Sequence, residues 1–228
     1  MKRKAIILLS GGLDSSTVVK IAKNDGFSEI YALTFNYGQR NIFEEQAAKH
    51  IATENNVTEH KIINIDLSCF GGSSLTTDLK MEKGREIKDI GIGIPSTYVP
   101  ARNTLFLTYA LSWAEVIPAY DIYIGANNVD YSGYPDCRPD YFRAFELMAN
   151  LATKIGVEGQ GIKIHTPLID LTKKDIILLG LSLGVDYSRT NTCYNPTNEA
   201  LACGECDACI LRKNAFQELG MTDPIGYV

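Results

Sequence analysis

The chain has 228 residues, 45% of them hydrophobic and 21% charged, an ordinary globular composition. That length supports a full core without disulfide staples and bounds the chain to one domain, or one domain with an appendage. A formal net charge of -5 and a pI of about 5.3 speak against a general nucleic-acid binder, because neutralising phosphates requires clustered Lys and Arg. No apolar run approaches the ~18 residues of a membrane span, so no membrane partner is expected.

The basic start, Met1-Lys2-Arg3-Lys4, followed by Ala5-Ile6-Ile7-Leu8-Leu9, is too short in its apolar part for a signal peptide. Ser10-Gly11-Gly12 and Asp14 stand where a cleavage site would fall. The segment 4–9 is instead read as a strand covered on both faces, in a cytoplasmic protein. A helix is predicted over 13–24, ending at Gly26 as a C-cap. A second strand follows over 29–35, then an amphipathic helix over 41–55 with Phe43, Ala47, Ala48 and Ile51 at helical spacing. The third strand is 60–65. This βαβαβ order predicts a parallel sheet with right-handed crossovers. Residues 69–100, rich in Gly, Ser and Thr, form a long loop, which in a compact domain points to function or mobility. Beyond it the pattern predicts an apolar helix over 102–116, a strand over 121–126, a helix over 141–155, a short strand over 163–166, and helices over 172–183 and 207–219. The division expected is 1–186 for the nucleotide-binding part and 187–228 for a C-terminal cysteine segment and final helix, within one compact unit.

Directly after the first strand comes Ser10-Gly11-Gly12-Leu13-Asp14-Ser15-Ser16. Paired glycines let the backbone turn sharply and bring its amides close to an anion. The helix that follows offers unpaired N–H groups and a positive dipole end, and three serine hydroxyls add donors. The string is neither a Walker A loop nor Gly-x-Gly-x-x-Gly. Its plainer alternative is a tight turn with Asp14 or Ser15 as N-cap. The whole string, set behind a buried strand, favours polyphosphate binding.

Four of the six cysteines, Cys193, Cys203, Cys206 and Cys209, fall in one short stretch. Four thiolates at this spacing can close a tetrahedron around zinc and leave no open position, so the site is read as structural. An iron–sulfur run would add a cysteine three residues on and then proline. Here Ile210-Leu211-Arg212 follow Cys209. Cys69 and Cys137 stand alone.

The Ser-Gly-Gly-x-Asp-Ser string resembles the PP-loop ATP pyrophosphatase superfamily. The resemblance implies an adenine-nucleotide α-hydrolase-like (Rossmann-like) α/β fold: a parallel five-stranded sheet with helices on both faces, plus the C-terminal zinc-bound helical segment. It implies ATP and Mg2+ as co-substrate, held by Leu9, Ser10, Gly11, Gly12, Leu13, Asp14, Ser15 and Ser16. Asp14 is the candidate to serve the magnesium ion.

Further segments narrow the resemblance. They are Tyr98-Val99-Pro100-Ala101-Arg102-Asn103-Thr104, residues 130–139, Thr192-Cys193-Tyr194 and residues 203–212. Together they resemble the 7-cyano-7-deazaguanine synthase (QueC) family of the queuosine pathway, from Ser10 to Phe216. Arg189-Thr190-Asn191 departs from it where members often carry an aromatic. The resemblance implies conversion of 7-carboxy-7-deazaguanine, ammonia and ATP to the nitrile through an activated carboxylate and an amide, by a homodimer. The candidate catalytic residues are Ser10, Asp14, Ser15 and Arg102.

For the substrate, a guanine-like edge offers an N–H and an amine that a carboxylate accepts in pairs. Asp130 and Asp136 are the candidates, with Tyr131 or Tyr134 stacking on the ring. Arg102 or Arg138 would fork onto the substrate carboxylate or a phosphate. Asp136 reads equally as a turn residue after Pro135, and Arg138 as a surface ion pair. Lys173 either opens a solvated helix or reaches a phosphate. Two rivals remain: a PP-loop tRNA thiolation enzyme, which needs a reactive thiol such as Cys69 or Cys137, and a nucleotide-binding zinc adaptor without turnover.

Overall fold

The computed structural model describes residues 2–129 and 133–228. Among them is one five-stranded sheet in the order β3-β2-β1-β4-β5, with every pairing parallel. The strands are β1 (Lys4–Leu8), β2 (Glu29–Asn36), β3 (Glu59–Asn64), β4 (Asp121–Tyr123) and β5 (Lys163–His165). The helices are α1 (Leu13–Asn24), α2 (Glu44–Glu54), α3 (Arg102–Val116), α4 (Pro139–Ala152), α5 (Lys154–Val157), α6 (Lys173–Ser182) and α7 (Asp207–Glu218). No helix of the described residues is long and apolar enough to cross a membrane.

The central strand explains the layers. Side chains alternate along a strand, and β1 is apolar at every position after Lys4. Ile6 and Leu8 join the core built with α3 and α4 (Leu107, Ala110, Phe142, Phe145). Ala5, Ile7 and Leu9 join the opposite core with α1, α2 and α6 (Val18, Val19, Ile51, Ile176). Each fully covered Ile or Leu contributes about 1.5–3 kcal/mol. The C-terminal segment reaches both layers, with Cys193, Cys206 and Cys209 in the first core and Phe216 in the second.

Four elements differ from the sequence pattern, each for a local reason. The helix expected from 41 begins at Glu44, because the Asn41 side chain accepts the Phe43 amide (2.9 Å) and so closes a turn instead. The strand expected over 121–126 stops at Tyr123. Beyond it, Gly125 lies so close to α1 that a Cβ there would stand 3.1 Å from the Ser15 nitrogen. The helix expected over 141–155 begins early, at Pro139, which suits a first helical position. It breaks at extended Thr153, whose hydroxyl caps α5, while Glu115 accepts the Lys154 amide (2.7 Å). Thr172 lies outside α6 and caps it reciprocally with Asp175. The 69–100 region is pinned in places. Ser73 and Ser74 are fully buried, and the Ser74 and Ser96 hydroxyls meet at 3.0 Å. Arg85 pairs with Asp207 at the start of α7.

Arg212 of α7 is 1% exposed. Its guanidinium forks onto Asp223 (2.8 and 2.9 Å) and donates to the Tyr187 carbonyl and to the Thr190 and Thr192 hydroxyls. Removing one partner of a buried pair leaves the other uncompensated. Arg212→Met is therefore expected to lower unfolding free energy by about 3–5 kcal/mol in urea denaturation. A change under ~1 kcal/mol, the worth of an exposed pair, would contradict this account.

Candidate active site

In an open parallel sheet, ligands settle outside the carboxyl ends of the strands, where the strand order reverses. Here the reversal flanks β1: β2 lies on one side and β4 on the other. A cleft opens at this point, walled by the loop after β1, the ends of β2 and β4, the starts of α2 and α3, and residues 191–194.

The glycine-rich loop forms one wall. Gly11 takes φ +84° and backs onto α2, where a Cβ would stand 2.5 Å from the Glu44 carbonyl oxygen and 2.7 Å from the Ala48 nitrogen. Gly12 is the N-cap of α1, and no side chain caps that end. The first-turn amides of α1 thus face the cleft beside the hydroxyls of Ser10 and Ser15, which meet at 3.1 Å. Ser16 turns back to bond the Gly12 carbonyl (2.7 Å). Asp14 lines the cleft, and both its carboxylate oxygens lie 2.8 Å from the Lys173 ammonium, which is 4% exposed. Lys173 thus reaches Asp14 from α6.

Arg102 stands on the cleft wall at the start of α3, its guanidinium 5.8 Å above the Tyr37 ring, with a hydrogen bond of 3.4 Å to the Tyr37 hydroxyl. Burial works against its charge, but Tyr37, Tyr134, Asp136 and Cys137 around it hold it protonated. Burial pushes the Tyr37 phenol up to about 12. Glu44, the first residue of α2, also lines the cleft. Burial raises its carboxyl to about 7, against the opposing pull of Arg102 and a hydrogen bond from Gln39. Burial, reinforced by the Asp136 charge, pushes the Cys137 thiol up to about 12.

Of the residues singled out in the sequence, Leu9, Ser10, Gly12, Leu13, Asp14, Ser15, Arg102 and Tyr134 share this cleft, while Gly11 and Ser16 stand behind the loop. Asp136 is buried and accepts the Asn103 amide (3.0 Å), which caps the start of α3; it does not face the cleft. Arg138 is exposed and precedes α4. Asp130 and Tyr131 lie outside the described residues. Two of the three histidines serve the sheet: His60 bonds Thr34 (2.7 Å), and His165 bonds Asp121 (2.6 Å) and stacks on Tyr123. The pattern reading missed Tyr37, Glu44, Gly125, Asn127 and Asn191. Glu44 reads in sequence as a first-turn acid suiting the helix dipole. Its place after a strand's carboxyl end was the available signal.

Behind the cleft, the sulfurs of Cys193, Cys203, Cys206 and Cys209 all lie within 4.8 Å of one another. Bonds of ~2.3 Å in a tetrahedron space sulfurs about 3.8 Å apart, so the set is near closure around one ion. Backbone amides of Asn195 and Cys203 point at the Cys193 sulfur (3.3 and 3.2 Å), and that of Cys206 at the Cys203 sulfur (3.4 Å). Such donors stabilise thiolate ligands. The residues fit a metal ion.

The model of a family described as "Queuosine biosynthesis protein QueC" matches residues 4–220. A protein of Desulfatibacillum aliphaticivorans named 7-cyano-7-deazaguanine synthase is 60% identical over 100% of this chain and 97% of its own. One of the same name from Paramagnetospirillum magneticum is 59% identical over 99% of each. In fold, the chain is similar to the structure of an NMN synthetase from Francisella tularensis (TM-score 0.51, 17% identity, 96% of this chain and 77% of that one).

The two glycines of the loop differ in what they tolerate. Gly11→Ala meets both a positive φ, costing about 1–2 kcal/mol, and the α2 backbone. At Gly12 the nearest obstacle is the Ser10 hydroxyl at 3.3 Å. Urea denaturation should show Gly11→Ala losing more than ~2 kcal/mol and Gly12→Ala less than ~1 kcal/mol. Equal losses would refute the close approach to α2.

Proposed function

The chain belongs to the QueC family of queuosine biosynthesis proteins, whose curated relatives are named 7-cyano-7-deazaguanine synthase; on that premise we propose that its cleft converts 7-carboxy-7-deazaguanine to the nitrile with ATP and ammonia. The chain is an enzyme of that family, a ligase. What supports the finer reading is one juxtaposition: the uncapped, hydroxyl-lined start of α1 and the Arg102 guanidinium stand on the walls of one cleft.

A carboxylate is a poor electrophile, because its leaving group would be oxide. Transfer of a nucleotidyl or phosphoryl group turns that oxygen into a stable leaving anion. Ammonia then gives the amide, and activating the amide oxygen in the same way leads to the nitrile. In this reading Ser10, Gly11, Gly12, Asp14, Ser15 and Ser16 hold the β- and γ-phosphates of Mg-ATP through amides, hydroxyls and the helix end. Leu9 and Leu13 flank the nucleotide. Arg102 steadies the substrate carboxylate or a phosphate across the cleft. No covalent enzyme nucleophile is required. A thiolation reading draws no support from Cys137, whose thiol is pushed away from ionisation, nor from Cys69, which is exposed and outside the cleft.

We assign zinc to the four cysteines, as a structural ion that fixes residues 193–209. All six cysteines are free of disulfides, which suits a reducing cytoplasm. Exposed Leu147 and Leu151 of α4 suit a homodimer, which sedimentation equilibrium would test.

Mass spectrometry of 7-carboxy-7-deazaguanine incubated with enzyme, ATP and ammonium should reveal a transient amide and then the nitrile. ATP consumption without either product would sink the substrate assignment. Elemental analysis should give zinc near one per chain, and Cys206→Ser should lose it together with several kcal/mol of stability, by analogy with a structural site of about 10 kcal/mol. Iron in place of zinc would overturn the metal assignment.

A further inference from the structure

We propose that Glu44 is the catalytic base that removes the last proton from the substrate nitrogen as the amide becomes the nitrile. This rests on the reaction proposed above and names the residue that completes it.

The chemistry demands such a group. When the amide oxygen bonds to phosphorus and displaces the rest of the polyphosphate, the nitrogen keeps two hydrogens and the product is an O-activated imidate cation. That cation is strongly acidic and gives one proton to water, leaving the neutral imidate, and Glu44 takes the second. Removal of the second sends the N–H electron pair into the third carbon–nitrogen bond while the carbon–oxygen pair departs with the phosphate ester anion. The products are the nitrile, that anion and two protons. The phosphate-binding loop supplies neutral donors, which cannot take them.

The walls of the cleft leave few alternatives. From α1, Asp14 has both oxygens on Lys173. After β2 comes Tyr37, from the turn before α4 Cys137, and from α3 Arg102; all are protonated at neutral pH. Burial also raises the Tyr134 phenol. Tyr194 is a further phenol, from the C-terminal segment. No histidine is on the wall among the described residues.

Glu44 alone among the described wall carboxylates stands in no ion pair. It projects from the first position of α2, which Gly11 locks against the phosphate loop through the 2.5 Å approach to the Glu44 carbonyl. The start of α2 is therefore held at a fixed distance from the glycine loop. Gln39 holds the carboxylate by a hydrogen bond and is itself fixed by the Tyr37 amide (2.7 Å) and the Phe35 carbonyl (3.3 Å). The neighbouring charges of α2, Glu45 and Lys49, pair with each other on the exposed face. A carboxyl near 7 has the strength that suits proton removal at neutral pH. It must be ionised to act, so activity should rise as pH passes upward through about 7.

The test supplies the primary amide, 7-amido-7-deazaguanine, with Mg-ATP and no ammonia, so that ammonia's own titration does not intrude. Wild-type enzyme should make the nitrile with an acidic limb in kcat near pH 7. Glu44→Gln should keep Mg-ATP and amide affinity within about threefold by calorimetry, lose about 10²–10⁴-fold in kcat, and show no such limb. Glu44→Asp should restore part of kcat and the limb. Glu44→Gln turning over at the wild-type rate with the limb intact would overturn the proposal, as would loss of nucleotide affinity matching the loss of rate. If Glu44→Gln does not fold, a wild-type profile lacking the limb overturns it and a limb abolished by no other wall substitution sustains it. Wild-type enzyme that makes no nitrile from the amide would instead overturn the reaction itself.

Discussion

The site depends on one steric fact: there is no room for a side chain between the turn after β1 and the start of α2. A Cβ on Gly11 would stand 2.5 Å from the Glu44 carbonyl oxygen. That approach sets the loop against a rigid helix instead of against solvent. The turn is then free to direct its next residues, Gly12 to Ser15, toward the cleft. Buried β1 anchors one end of the turn and α1 the other, so the amides are in place before any ligand arrives. Preorganised dipoles of this kind cost little reorganisation when they meet an anion.

The same contact carries outward to the cysteine cluster. The Asn191 amide donates to the Gly11 carbonyl (2.9 Å). The Asn41 side chain, just ahead of α2, donates to the Asn191 side chain (3.0 Å) and to the Cys193 carbonyl (2.8 Å). From Cys193 the sulfurs lead to Cys203, Cys206 and Cys209, and Arg212, three residues beyond the last, ties α7 to Thr190 and Thr192. The metal-binding cluster thus holds a wall of the cleft without touching its contents. Four cysteines positioned around one point would, with a metal ion bound, supply such a constraint in compact form.

Much of this was legible in the sequence because it is written locally. The apolar run of β1, the glycine turn and the cysteine spacing each lie within at most 17 residues, and the parallel sheet, the tight turn and the clustered cysteines followed. The helix bounds moved where one side chain decided matters: Asn41 closing a turn, Thr153 breaking a helix, Gly125 ending β4 against α1. The cleft's other walls were harder to see, because they assemble from distant segments. Lys173 meets Asp14 across 159 positions, and Asp136 turns to the Asn103 amide instead of the cleft. Glu44 and Tyr37 carry no motif at all; only the parallel sheet brings the end of β2 beside the loop after β1.

The charges drawn inside follow one rule, which also marks where it is relaxed. Asp14 faces Lys173, Asp207 faces Arg85 and Asp223 faces Arg212. In each such pair neither charge is left uncompensated. Glu44 is held differently: an amide donor, a more distant guanidinium, and burial that outweighs both. A carboxyl so placed is nearly balanced between its two protonation states at neutral pH. The packing of α2 against the loop therefore does two things at once. It sets the position of the glycine loop, and it places on the cleft wall a carboxyl without an ion pair, beside an acid that has one.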